Sequence, residues 1–344
     1  MGAPTSYYQP YARQHEYPQG PGDARPTALQ VVEDEGLVGK LSDKVMIITG
    51  CSAGIGVETA RALHATGAKI FLTVRDKEKG EAVIQDIIKT SRGKGSIELI
   101  LMDLSNLSSV RFAAVDFLSR SDRLNVLIEN AGVIVCPESK TADGFEMQMG
   151  TNHFGHFLFF QLLKPTLLKS STSSFQSRVV TVSSSGHRIS PIRFHDMDFA
   201  KEGYHKWTAY GQSKTANICL ANSIERHYGA KGLHGHAIHP GAIFETEGLR
   251  HATEEDTAQM GGIEAFEKVA KSVAQGAATQ VWAAVSMYLE GKGGVYLSDV
   301  GEAKPAAENE LLGGPGYGPH AYDEEAEEKL WKLSYEAVGL PAED

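Results

Sequence analysis

The chain has 344 residues, 42% of them hydrophobic, enough for one substantial core. Its 43 acidic residues outnumber 33 basic ones for a formal net charge of −10, and no basic cluster interleaves with aromatics, so nucleic acid and anionic membrane surfaces are not its expected partners. No run approaches the ~20 apolar residues of a membrane span, and Cys51, Cys136 and Cys219 lack the spacing of a disulfide framework or zinc site, which points to small-molecule chemistry in a reducing, cytoplasmic compartment.

Residues 1 to about 40 repeat Tyr, Pro and Gln with little aliphatic periodicity before Leu37, which predicts a flexible extension; an interaction arm or lid is the alternative reading. From Lys44 onward, short β-branched runs alternate with helical segments. Strands are predicted at 44–49, 69–74, 97–102, 125–128, 178–183, 234–239 and 294–297. Helices are predicted at 55–66, 77–90, 106–119, 145–169, 208–228 and 274–289. The pattern is that of an α/β, Rossmann-type doubly wound sheet of seven parallel strands with helices on both faces. An acidic tail ends in a helical pattern over 324–335, whose Leu330 and Leu333 would dock on the core. The domain plan is an extension (1–40), one nucleotide-binding catalytic domain (41–300) and a tail (301–344).

The first strand runs straight into Gly50, Gly54 and Gly56, with helical periodicity starting at Ile55. Glycines let a backbone approach a pyrophosphate, and a helix N-terminus offers unpaired N–H groups and a positive dipole end, so a dinucleotide site is expected here. At the end of the second strand, an acidic residue would favour a free ribose 2′-hydroxyl; Arg75 stands there instead. A guanidinium suits a 2′-phosphate, so NADP(H) is favoured over NAD(H). Asp76 beside it reads as the N-cap of the next helix.

Tyr210 and Lys214 stand one helical turn apart, placing a phenol and an ammonium on one face. A fixed cation favours the phenolate and suits the tyrosine for proton exchange with an alcohol or carbonyl oxygen.

The turn Thr49-Gly50-Cys51-Ser52-Ala53-Gly54-Ile55-Gly56, the tetrad Glu129-Asn130-Ala131-Gly132, Asn152, the run Ser183-Ser184-Ser185 and Tyr210-Gly211-Gln212-Ser213-Lys214 follow in that order. Together they resemble the short-chain dehydrogenase/reductase family over residues 44–297. The long interval from Ser184 to Tyr210, the run Thr141-Ala142-Asp143-Gly144-Phe145-Glu146 and His239-Pro240-Gly241 resemble its retinol-dehydrogenase-like branch.

The resemblance implies an oxidoreductase that interconverts an apolar ketone or aldehyde and its alcohol by hydride transfer. It implies Tyr210 as proton donor and base. Lys214 would lower the Tyr210 pKa and grip the nicotinamide ribose, Ser184 would hold the substrate oxygen, and Asn152 would hold a water that links Lys214 to solvent. Gly50, Ser52, Gly54, Ile55 and Gly56 would cradle the diphosphate, Asp103 and Leu104 would meet the adenine, and Asn130, Ala131 and Gly132 would line the adenosine ribose. Pro240, Gly241 and Ile243 would back the carboxamide. The residues alone leave the choice among three consecutive serines open, since side chains alternate at a strand end; the family pattern Val-Ser-Ser selects the second.

The chain departs from the family at two places. Glu129 replaces the usual first asparagine of the tetrad, which puts a local strand contact in question. The family's Pro-Gly-x-x-x-Thr would put Glu245 at the threonine position, unless one residue is inserted and Thr246 serves; a glutamate beside a diphosphate is electrostatically unfavourable, so Thr246 is preferred. No metal is expected, because His153, His156 and His187 lack a partner set of carboxylates or cysteines. The stretch 244–270, with Leu249, Met260, Ile263 and Phe266, is expected to roof the substrate pocket. The segment 274–289 and the last two strands are where relatives pair subunits, implying a homodimer. Two other readings stay open: a cyclase or epimerase exploiting Glu245, and a cofactor-sensing interaction protein using the N-terminal arm.

Overall fold

The computed structural model describes residues 7–259 and 261–341. Its aliphatic runs form β1 (Val45–Thr49), β2 (Lys69–Val74), β3 (Ile97–Leu101), β4 (Val126–Glu129), β5 (Ser177–Val182), β6 (Leu233–His239) and β7 (Val295–Ser298), all paired in parallel. Beyond the seven expected strands lies an eighth, β8 (Gly301–Glu302), antiparallel to β7. Two residues are too few to leave a periodic signal.

The order β3-β2-β1-β4-β5-β6-β7-β8 means that the chain winds outward from β1 to β3, then returns to the other side of β1. That reversal opens a crevice at the carboxyl ends of β1 and β4, where doubly wound sheets bind ligands. Both faces of the sheet are covered, which is why its central strands are apolar on both sides. Phe117, Phe157, Phe160 and Trp331 fill one face; Leu63, Val281, Trp282 and Val32 fill the other.

Two helices predicted as continuous are broken. The first comprises Met147–Met149, a π-helical turn Gly150–Phe154, and Gly155–Ser170. The second splits into Val273–Gly276, Ala278–Val285 and a 3₁₀ turn Met287–Leu289. At the C-terminus, the helix Glu324–Ala337 buries Leu330, Trp331 and Tyr335, with Leu333 partly buried beside them.

The expectation of a flexible extension does not hold for its described residues, 7–40. A capping box between Thr27 and Gln30 starts a helix, Ala28–Asp34, that buries Ala28, Val31 and Val32. Trp282 lies beneath it and donates from Nε1 to Glu35 Oε1 at 3.0 Å. Tyr8 stacks on Tyr288 with ring centroids 3.8 Å apart, and its carbonyl accepts from Glu302 N at 2.9 Å. These partners lie some 250 residues or more away along the chain, so local composition gives no sign of them. The chain's own N-terminus thereby packs on the helix Ala278–Val285 and the β7–β8 edge, the region assigned above to subunit pairing.

Candidate active site

At the crevice lies a cavity of about 570 Å³. Its floor is the turn after β1, where Gly50 (φ 73°) and Gly54 (φ 68°) adopt left-handed backbone conformations. A Cβ on Gly56 would lie 2.5 Å from Gly50 O and 2.7 Å from Asn130 Nδ2, so only glycine permits this packing. Asn130 Nδ2 donates to Thr49 O at 2.8 Å, and Ala131 N donates to Thr49 Oγ1 at 3.0 Å, which ties the end of β4 to the glycine turn. Ser52, Ile55, Gly132, Asp103 and Leu104 also line the cavity. Asp103 Oδ1 accepts from Ser105 N at 2.9 Å.

Arg75, which is exposed, lines the cavity, and so does Lys79, a second cation that the sequence reading missed. Asp76 caps the helix Lys77–Thr90, accepting from Lys79 N at 3.1 Å, so its carboxylate is engaged with the backbone.

Tyr210 and Lys214 sit on the helix Lys206–Tyr228, both almost wholly buried and both lining the cavity. Lys214 Nζ donates to Val182 O at 2.9 Å and lies 5.7 Å from the centre of the Tyr210 ring. Burial pushes the lysine down to about 8 and the phenol up to about 12. The expected lowering of Tyr210 by Lys214 is not found: desolvation raises the phenol, and the nearby Ser184 hydroxyl, not the lysine, pulls it the other way. Ser184 Oγ also accepts from Gly186 N at 3.0 Å. Of the neighbouring serines, Ser183 Oγ donates to Lys214 O at 2.8 Å and Ser185 N donates to His239 Nδ1 at 3.2 Å. A Cβ on Gly186 would lie 2.7 Å from the Tyr210 ring, so this glycine lets the serine loop reach the phenol.

Asn152 is fully buried in the π-helical turn rather than at the cavity surface. Its Oδ1 accepts from Val133 N at 2.8 Å, its Nδ2 donates to Ser213 Oγ at 2.9 Å, and the His156 ring sits 3.0 Å from its carbonyl. A Cβ on Gly132 would lie 3.2 Å from Asn152 Oδ1 and 3.3 Å from Lys214 Nζ, so these groups converge on one point. Turns of this kind free backbone groups from the helical ladder.

On the far side, Pro240, Gly241, Ala242, Ile243 and Thr246 line the cavity. Thr246 approaches Gly54: a Cβ there would lie 3.3 Å from its Cγ2. Glu245 is exposed and its Oε2 accepts from Val273 N at 3.3 Å. It faces away from the cavity, which removes the feature that suggested a cyclase or epimerase.

The opposite wall is apolar: Ile134, Met147, Trp207, Phe244, Leu249 and Phe266. Of the expected roof, Ile263 is exposed instead, and Met260 lies outside the described residues. Leu312 and Gly313, from the C-terminal tail, complete this wall and were missed. His239 anchors them: with Nδ1 accepting from Ser185, its Nε2–H donates to Gly313 O at 3.3 Å. Among the described residues no cluster of His, Cys, Asp and Glu could hold a metal ion, and no helix is long and apolar enough to cross a membrane.

A nucleotide-binding turn on a doubly wound sheet, sharing a cavity with Ser184 and the buried Tyr210 and Lys214, defines a dinucleotide-dependent oxidoreductase. The short chain dehydrogenase family pattern matches residues 44–257. The chain is 48% identical over 340 residues to short-chain dehydrogenase/reductase prx1 of Penicillium roqueforti, covering 99% of this chain and 97% of that protein. It is 37% identical over 302 residues to human retinol dehydrogenase 11, covering 88% of each. The Pseudomonas aeruginosa RhlG/NADP complex superposes with a TM-score of 0.56 at 25% identity, covering 76% of this chain and 96% of that one. The chain belongs to the short-chain dehydrogenase/reductase family, in its retinol-dehydrogenase-like branch.

Proposed function

We propose that this oxidoreductase uses NADP(H) to interconvert an apolar ketone or aldehyde and its alcohol. The observation that carries the reading is the convergence of Ser184, Tyr210 and Lys214 on the cavity that also holds the glycine turn and an apolar wall: a Cβ on Gly186 would lie 2.7 Å from the Tyr210 ring and 3.4 Å from Ser184 Oγ. The turn residues fit a dinucleotide, because a Cβ at Gly50 would lie 2.7 Å from Ala131 Cα and one at Gly56 would strike the Gly50 carbonyl. When bound, the nicotinamide supplies or accepts the hydride.

In the reducing direction, Ser184 Oγ and Tyr210 Oη hold the carbonyl oxygen, and the Tyr210 proton passes to that oxygen as negative charge develops. A phenol held near 12 is fully protonated at neutral pH and ready as this acid. Lys214, brought down to about 8, can then return a proton to the phenolate within the ordinary pH range. Asn152 braces the chain at Val133 and Ser213, with its side-chain oxygen across Gly132 from Lys214 Nζ. Arg75 and Lys79 offer two cations to a ribose 2′-phosphate, and the likeness to the RhlG/NADP complex supports the same choice. The apolar wall, and the relative named for retinol, support an apolar substrate.

The test is absorbance of the reduced nicotinamide on mixing the protein with a panel of apolar aldehydes and ketones, run with NADPH and with NADH. NADPH consumption matched by alcohol formation is expected. No consumption of either cofactor across the panel would defeat the proposal.

A further inference from the structure

Residues 15–25 hold no catalytic motif, yet they pack against the back of the loop that follows β6. Arg25 is 3% exposed. Its guanidinium donates to Val269 O at 2.7 Å, to Gly20 O at 3.0 Å and to Ala270 O, while its Nε donates to Asp23 Oδ1 at 2.8 Å. Gly20 N donates to Lys268 O at 2.8 Å. Gln275 closes the other end: its Oε1 accepts from Gly22 N at 2.9 Å and its Nε2 donates to Arg25 O at 3.0 Å. A buried guanidinium is tolerated only when its donors are satisfied, and here two carbonyls of the loop, the Gly20 carbonyl and the Asp23 carboxylate do so.

The segment so gripped touches the cavity-lining backbone on its other side. Lys271 N donates to Ala242 O at 2.8 Å, and a Cβ on Gly241 would lie 2.7 Å from Lys271 Cδ. Lys271 Nζ is itself fixed by Asp299 Oδ1 at 2.7 Å. A Cβ on Gly276 would lie 2.7 Å from Ile243 and 3.0 Å from Ile55, at the start of the glycine-turn helix. Pro21 shares a groove with Phe244, a residue of the apolar wall. Residues 268–276 are therefore a slab between the N-terminal segment and the Gly241–Ile243 face of the cavity.

We propose that residues 15–25 form a strap that presets the loop after β6 for the cofactor, with Arg25 as its positioning residue. This rests on the reading of the cavity as a dinucleotide site. Arg25 touches neither substrate nor cofactor; it acts through the carbonyls of Val269 and Ala270 and the Lys271–Ala242 bond. Losing it frees the slab, which the cofactor must then order on binding, so affinity falls while the bound geometry, and with it turnover, is kept.

The experiment uses full-length wild type, Arg25→Ala, Arg25→Lys and Gln275→Ala, with Tm, NADPH Kd by direct titration, kcat at saturating cofactor, and hydrogen exchange of residues 240–276. The expected result is a Kd raised about 10-fold in Arg25→Ala and Gln275→Ala, a kcat within about twofold of wild type, and faster exchange confined to 240–276. Arg25→Lys should recover part of the affinity. Unchanged Kd and exchange in folded Arg25→Ala would overturn the strap. So would exchange rising throughout the sheet with kcat falling in step, since that is a purely structural role. If Arg25→Ala fails to fold, Gln275→Ala decides alone by the same criteria. Absence of NADPH binding by wild type would instead defeat the reading of the cavity, leaving the two failures distinct.

Discussion

Glu129 allows a quantitative test of the interior of this enzyme. Its side chain is buried, paired in register with Thr181 and one residue beyond the Ile48–Ile128 pair, and its Oε1 has no hydrogen-bond partner. Burial pushes its pKa from 4.5 up to about 8. The folded protein therefore holds this proton across a range where the unfolded chain has released it. A raised folded-state pKa gives stability that is fully present below about 4.5 and is lost as pH rises through about 8. At 1.36 kcal/mol per unit of pKa difference, integration between pH 5 and pH 8 gives a loss of roughly 3 kcal/mol from this one group. Glu129→Gln keeps the shape and removes the titration, so the difference in unfolding free energy between variant and wild type should move by roughly that amount in the variant's favour between pH 5 and pH 8. Urea unfolding of both proteins without cofactor at the two pH values measures it, and every other titrating group cancels in the difference. A pH slope identical in the two proteins would refute the reasoning, because it would mean that the carboxylate is charged in the folded state.

Three other outcomes are expected. Tyr210→Phe should reduce turnover by about 10²–10⁴-fold while leaving the Tm and NADPH titration near wild type, whereas retention of a tenth of the activity would remove the phenol from proton transfer. Arg75→Ala combined with Lys79→Ala should weaken NADPH more than NADH by roughly 1.5–3 kcal/mol, and equal weakening in direct titrations would mean that the pair does not read the 2′-phosphate. Alcohol oxidation needs the phenolate, so its rate should climb with pH through the alkaline range while carbonyl reduction stays flat through neutrality; stopped-flow profiles in which oxidation plateaus below pH 7 would contradict a phenol held near 12.

The glycine turn was legible because its requirement sits in backbone geometry. Gly50, Gly54 and Gly56 must be glycine for steric reasons, and they follow directly on a strand, so a short window of sequence displays the whole device. Tyr210 and Lys214 were legible for a similar reason, being one turn apart on one helix. The Tyr210 pKa was not. A sequence shows a neighbouring cation but not the depth of burial, and here desolvation is the larger effect. Lys79 was missed because a lysine on an amphipathic helix looks like any solvated residue until it is seen to line the same cavity as Arg75. The docking of residues 7–40 was missed because Arg25 and Val32 make their contacts with residues far along the chain, where no local period betrays them.

The same logic explains why the apolar wall resists reading. Ile134, Trp207, Phe244 and Leu312 reach it from four segments separated by tens of residues, and each alone is an ordinary apolar side chain. What makes them one surface is a set of polar ties invisible in composition: His239 linking the catalytic serine loop to Gly313, and Arg188 donating to Glu310 at 3.2 Å and to the carbonyl of Leu311. These ties run from the serine loop and the end of β6 outward, so the wall inherits its position from the catalytic centre. The shape of this wall is accordingly set by the tail and the post-β6 loop together, the tail tied to the serine loop by Arg188 and the post-β6 loop tied to the N-terminal segment by Arg25.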